Sequence, residues 1–124
     1  MGGAVNEQTI PNLHCKAIAG CANNQLFKDS DADELAAKGI LYAPDFVINA
    51  GGFINVTQEL DSQGYNPVIA RNKVHRIYDQ LMLIYEIAEQ NQSSTQRAAL
   101  SLAEYRLKYR IGKRTEPPCF HHAK

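Results

Sequence analysis

Asn23 and Asn49 each follow a short apolar run, the first after Ala17-Ile18-Ala19-Gly20-Cys21-Ala22 and the second after Phe46-Val47-Ile48. A carboxamide both donates and accepts hydrogen bonds, so an asparagine so placed can read a ligand's carboxamide or hold an amino group without adding charge. Asparagine also tolerates the left-handed backbone of turns, which is the ordinary reason for meeting it in a loop. Gly51-Gly52 comes two residues after Asn49. The pair lets backbone approach a flat ligand and, if it opens a helix, offers free N–H groups to a carboxylate. Two runs that end in amides and glycines read as two strand ends of one site, because a parallel sheet places ligands at the carboxyl ends of its strands.

The elements needed to position these residues follow from the flanking pattern. Residues 17–22 suit a buried central strand. Asp29 to Glu34 supplies a cap and an acidic first turn for a two-turn helix through Lys38, stopped by Gly39. Ile40-Leu41-Tyr42-Ala43 resumes an apolar run, Pro44 breaks it, and Phe46-Val47-Ile48 forms a second one. Strand, helix, strand at this spacing predicts a βαβ unit with a parallel sheet, hence an α/β fold. After Gly52 the apolar period lengthens, so Phe53, Val56 and Leu60 mark one face of a helix ending near Gly64. A longer helix is predicted over 67–90 on the stripe Ala70, Val74, Ile77, Leu81, Ile84 and Ala88, opened by Pro67. A third, over 95–109, carries Leu100, Ala103 and Leu107, and its short linker implies an antiparallel pair.

At 124 residues, with 44% hydrophobic and 21% charged residues and zero formal net charge, the chain is one domain at most. It has no global field to attract nucleic acid or an acidic membrane, and no apolar run nears the roughly 20 residues of a membrane helix. The expected location is the cytoplasm. Cys15, Cys21 and Cys119 have no metal or disulfide spacing. Asp29, Asp31 and Asp33 start like a calcium loop, but Glu34 stands where the turn needs glycine and Ile40 where it needs glutamate, so they read as helix caps. Cys119, His121 and His122 lack a fourth ligand, and Arg106, Lys108, Arg110, Lys113 and Arg114 read as a solvated helix end. No metal site and no catalytic residue is assigned.

Taken together, Gly2 to Pro11, Lys16 to Leu26 and Tyr42 to Leu60 resemble the cofactor domain of the Glu/Leu/Phe/Val dehydrogenases, most closely the leucine dehydrogenase branch. The likeness weakens along Arg71, Val74, Ile77 and Tyr78, and a looser one runs from Ala98 to Arg106. The family oxidatively deaminates L-amino acids to 2-oxo acids, passing hydride to NAD. The resemblance therefore implies a partial Rossmann-like fold, doubly wound around a parallel sheet, over residues 1–64, a helical hairpin over 65–111 and a flexible tail over 112–124. It implies NAD as cofactor, with Ala22, Asn23 and Gly51 on the nicotinamide side. Asn49, Gly52, Phe53 and Val56 fall on the substrate side. Leucine-type members hold a smaller aliphatic residue at the place of Phe53, so a phenyl group there favours a smaller substrate, a rearranged site or a pocket no longer in use.

The family's glycine-rich turn, ribose-reading acid and catalytic lysines and aspartate precede the matched segment, and Lys16 and Lys28 do not replace them. Met1 reads as an internal methionine taken as a start. The expected function is thus part of an NAD-dependent dehydrogenase of branched-chain amino acids such as leucine, inactive as this chain alone, and a homo-oligomer in its full-length form. A separately encoded upstream half is the partner that would complete it. The alternative is a truncated remnant or an interaction module built on the hairpin.

Overall fold

The structure, a computed structural model, describes residues 2–111. Met1 and everything predicted for residues 112–124, including Lys113, Arg114, Cys119, His121 and His122, lie outside the described residues. The described part is mixed α and β, with a two-stranded parallel sheet and five α-helices in chain order β1 (Ala17–Ile18), α1 (Asp31–Ala37), β2 (Leu41–Tyr42), α2 (Asp45–Ile48), α3 (Ala50–Glu59), α4 (Pro67–Gln90) and α5 (Thr95–Lys108). A 3₁₀ turn, Ile10–Asn12, precedes them. No helix among the described residues is long and apolar enough to cross a membrane.

The βαβ unit forms as its spacing demands. Ala17 pairs with Leu41 and Ile18 with Tyr42, in parallel, with α1 as the crossover. The ladder is closed by Leu41 N–H to the Lys16 carbonyl and Ala43 N–H to the Ile18 carbonyl, both 2.9 Å. The predicted strand over 17–22 contracts to two residues, and Ala22 lies in the loop beyond it. A neighbouring segment is tied in by one parallel bridge between Val5 and Leu26. The core here is Ile10, Ala32, Leu35, Ile40 and Tyr42, flanked by Val5, Leu13, Ile18 and Leu26.

Gly39 ends α1 for a conformational reason. Its φ is +70°, and the Gly39 and Ile40 N–H groups return to the carbonyls of Ala36 and Leu35, the paired bonds of a Schellman cap. The same closure recurs after α4, where Gln92 takes φ +48° and Ser93 N–H reaches the Ala88 carbonyl. It recurs again after α5, with Arg110 at φ +55°.

Helix α4 matches its predicted span. Asn66 caps it, its Oδ1 accepting the Val68 and Ile69 N–H groups at 3.0 and 3.2 Å, and Pro67 sits where a missing N–H costs nothing. It pairs antiparallel with α5 through a core of Ile84, Ala88, Ala98 and Ala99, joined by Val47, Tyr85, Ile87 and Leu102.

Three expectations are corrected. Phe46-Val47-Ile48 is not a strand run: it lies in α2, because Pro44 breaks the chain after β2 and Val47 then packs on the hairpin core. On α3, Phe53 and Val56 are not the packed face, being 73% and 54% exposed. The helix turns Gln58 inward instead, where the Lys73 ammonium donates to Gln58 Oε1 at 2.6 Å. On α5, Leu107 is 79% exposed and Leu100 partly so, because the buried face is Gln96, Ala98 and Ala99, whose small alanines allow close approach to α4.

Candidate functional site

The loop after β1 and the junction of α2 with α3 meet. Asn49 Nδ2 donates to the Ala22 carbonyl at 3.1 Å and to Asn23 Oδ1 at 3.2 Å, bringing together two positions 26 residues apart. Neither asparagine is there for left-handed backbone, for φ is positive at Asn24 (54°) and not at Asn23 or Asn49. Asn49 occupies the cap position between the two helices, yet its side chain makes no capping bond. Its amide is spent on the loop.

The correction to the strand reading changes how the site is built. Only the Ala22–Asn23 side follows a strand. Asn49 sits at a helix junction, and Gly51 and Gly52 lie inside the first turn of α3 and not ahead of it. Neither glycine has positive φ, and among the described residues a Cβ on either would meet no atom within 4 Å beyond its chain neighbours and its own helix backbone. Conformation and internal packing therefore leave both glycines unexplained, although each costs a helix about 1 kcal/mol relative to alanine. Phe53 and Val56 follow one turn on, three residues apart and both exposed.

Two residues without an expected role hold the arrangement. Gln25, 7% exposed, donates through Nε2 to the carbonyls of Gly20 and Ala22, both at 2.8 Å. Asp45, 8% exposed, accepts the Gln25 N–H on Oδ2 at 2.8 Å and the Phe46 N–H on Oδ1 at 2.6 Å. Nearby Tyr42 is buried. That burial, with the negative charge of Asp45 adding to it, pushes its phenol up to about 12, so it stays neutral across the physiological range. In the sequence the only local signal for this network was a proline-aspartate pair after an apolar run.

Other polar clusters are structural. The acids that mimic a calcium loop dock α5: Asp29 Oδ1 accepts from Gln96 at 2.8 Å, and Asp33 receives Arg97 through two nitrogens at 2.6 to 3.0 Å. Asp31, fully buried, accepts the Lys28 N–H at 2.9 Å. Among the described residues no group of three or more His, Cys, Asp or Glu is placed to hold a metal ion. Lys28 pairs with Glu7 at 3.2 Å. A cavity of about 520 Å³ opens between α1, β2 and the α4–α5 turn, lined by Ala32, Ala36, Tyr42, Ala88 and Ser93 among others. Neither asparagine lines it.

The polar junction lies beside the carboxyl end of a parallel strand, the side on which open α/β sheets place their ligands. No protein-family model matches the chain. Individual proteins do. It is 47% identical over 107 residues to a leucine dehydrogenase of Thermoactinomyces intermedius, covering 86% of this chain and 29% of that protein. It is 50% identical over 108 residues to an L-tryptophan dehydrogenase of Nostoc punctiforme (86% and 30%) and 47% identical over 113 residues to a phenylalanine dehydrogenase of Bacillus thermotolerans (91% and 29%). The crystal structure of L-tryptophan dehydrogenase from Nostoc punctiforme superimposes with a TM-score of 0.81 at 49% identity, over 88% of this chain and 32% of that one. In sequence and in fold the chain fits a segment of the amino-acid dehydrogenases it matches. It spans 29–30% of the length of the curated relatives it matches.

Proposed function

We propose that the chain supplies the nicotinamide and substrate wall of an NAD-dependent L-amino-acid dehydrogenase, within a partial Rossmann-like unit over residues 1–64. The observation that carries this reading is the Asn49 side chain, which leaves its helix uncapped to join Asn23 at an accessible surface. The residues present fit one end of the cofactor. Asn23 and Asn49 keep donor and acceptor capacity for a carboxamide, and the unhindered first turn of α3 leaves space for a flat ring at Gly51. NAD bound there would supply the acceptor for a hydride from the amino-acid α-carbon. Ala22, Asn23 and Gly51 orient the ring; Asn49 and Gly52 hold the amino acid's polar groups; Phe53 and Val56 form the wall against its side chain.

The same residues set the limit on activity. No G-x-G-x-x-G loop occurs in the 124 residues, and among the described residues no lysine is hydrogen-bonded to the asparagine pair. If the pyrophosphate and ribose contacts contribute about 4 kcal/mol, their lack lowers NAD affinity about a thousandfold. Without a positioned lysine there is no base for deamination. The active species is then this chain joined to, or assembled with, the remainder of the dehydrogenase, in a homo-oligomer and in the cytoplasm. Leucine, valine and isoleucine are the proposed substrates, the smaller ones favoured by the phenyl ring of Phe53.

The test is to mix the chain with a polypeptide carrying the preceding part of a leucine dehydrogenase and follow NADH from leucine, valine and isoleucine. NADH formed only by the mixture supports the proposal, and none from any of the three removes it. The exposed Phe53, Val56, Leu100 and Leu107 favour a second reading, an interaction module without catalysis. Micromolar NAD binding by the isolated chain would count heavily against that one.

A further inference from the structure

We propose that Gln25 and Asp45 are positioning residues that hold Asn23 and Asn49 together as a single unit. The use of that unit rests on the dehydrogenase reading above, whereas the clamp rests on geometry alone. The contacts form a closed ring. From the Ala22 carbonyl the path runs 2.8 Å to Gln25 Nε2, then from the Gln25 backbone N–H 2.8 Å to Asp45 Oδ2. It continues along one helical turn, closed by Asn49 N–H on the Asp45 carbonyl at 2.9 Å, and returns from Asn49 Nδ2 to the Ala22 carbonyl at 3.1 Å. The Ala22 oxygen thus accepts from both Gln25 and Asn49, using the two lone pairs a carbonyl has.

The residue types fit these roles and few others. Gln25 spends both N–H groups of its amide on carbonyls, which a carboxylate of the same size cannot do. Asp45 is an acceptor only, and it faces two backbone donors. Gly20 belongs to the same device, because a Cβ there would lie 3.2 and 3.3 Å from the two polar atoms of the Gln25 side chain. Burial of Gln25 and Asp45 makes each lost partner costly, so the ring has one arrangement, which the exposed Asn23 and the half-buried Asn49 inherit.

The test is nuclear magnetic resonance on the full chain, with Gln25→Glu, Asp45→Ala and Asp45→Asn. Losing a buried hydrogen bond by Gln25→Glu or Asp45→Ala should speed exchange of the residue 25 N–H about tenfold or more. The Asn49 side-chain amide should then move to the shifts of a free carboxamide, with Leu35 and Ile84 amides unchanged. Asp45→Asn, which keeps one acceptor oxygen but sets its NH2 against the second donor, should restore only part of the protection. Unchanged residue 25 exchange and Asn49 shifts in Gln25→Glu overturn the clamp. Should the variants not fold, the unsubstituted chain decides: a protected Gln25 N–H with a displaced Asn49 side-chain amide supports the clamp, and free-carboxamide shifts at Asn49 overturn it. NAD added to the unsubstituted chain is a separate arm. If, with the preceding part of a leucine dehydrogenase also present, millimolar NAD shifts neither asparagine amide, the nicotinamide reading is lost while the clamp stands.

Discussion

The βαβ region and the α4–α5 hairpin are built on opposite principles. The hairpin is held chiefly by a stripe of apolar side chains, Ile84 and Ala88 against Ala98 and Ala99, with Arg106 donating to Gln80 between the helices. The βαβ region has a comparable core, but its loops are ordered by amides and carboxylates: Gln25, Asp45 and Asn49 fix chain that makes no ladder. Apolar packing fixes the distance between elements and tolerates sliding. A ring of directional hydrogen bonds fixes individual atoms, and that is what reading a ligand requires. Precision in this molecule is concentrated where the glycines and asparagines are.

That contrast breaks most directly with paired substitutions. Leu35→Ala, at a fully buried site, should destabilise the fold by about 3 kcal/mol, measured as a fall in the urea midpoint at constant slope. Asn49→Ala should cost about 1 kcal/mol or less, because its bonds lie at the surface. The same change should nevertheless abolish NADH formation by the reassembled enzyme. If Asn49→Ala proved as destabilising as Leu35→Ala, the asparagine would be a structural residue and the contrast would fail.

A change of intermediate size sharpens the comparison from the hairpin side. Gln92 closes α4 at φ +48°, a conformation that costs a residue with a Cβ about 1 kcal/mol and glycine almost nothing. Gln92→Gly should therefore raise stability by up to about 1 kcal/mol in the same urea titration. No gain, or a loss, would mean that the side chain makes contacts that offset the strain. Gly51→Ala is a useful counterpart. Helix propensity predicts a gain of similar size, since its Cβ meets no other side chain among the described residues, and a gain in stability accompanied by lost NAD-dependent activity would place the cost of that glycine in function.

These differences also explain what could be read from the chain. The span of α4 was legible because a stripe from Ala70 to Ala88 and the Asn66-Pro67 start agree. The βαβ unit was legible because Gly39 and Pro44 punctuate it. The packed face of α5 was not, because large side chains at Leu100 and Leu107 outweigh alanines in any apolar pattern, whereas close helix approach selects the alanines. Phe46-Val47-Ile48 looks like a strand by composition, and its helical state comes from Pro44 ahead of it and the hairpin beside it. Asn23 and Asn49 were visible as residue types, and the contact between them was not. The Gln25–Asp45 bond spans 20 residues, and no local pattern encodes a contact of that reach.

The smallest predicted effect tests how the two regions are joined. Asp33 on α1 meets Arg97 on α5 at 2.6 Å, and the Arg97 guanidinium holds the Asp33 carboxyl below its usual range. A carboxylate whose pKa is lower folded than unfolded adds stability that is complete above the unfolded pKa and disappears as pH falls through the folded one. The pair is exposed on the Arg97 side, so solvent screening keeps the contribution small. Comparing the unsubstituted chain with Asp33→Asn by urea unfolding should show a small advantage for the unsubstituted chain at neutral pH that closes as pH drops below the ordinary aspartate range. High salt should shrink the neutral-pH advantage as well. An advantage independent of pH and salt would show that the carboxyl acts through shape and not through charge. The two regions would then be joined by packing, by the Thr95 hydroxyl on the Tyr42 carbonyl at 2.6 Å and by the Gln96 amide on Asp29 Oδ1 at 2.8 Å, with no share from the Asp33–Arg97 charges.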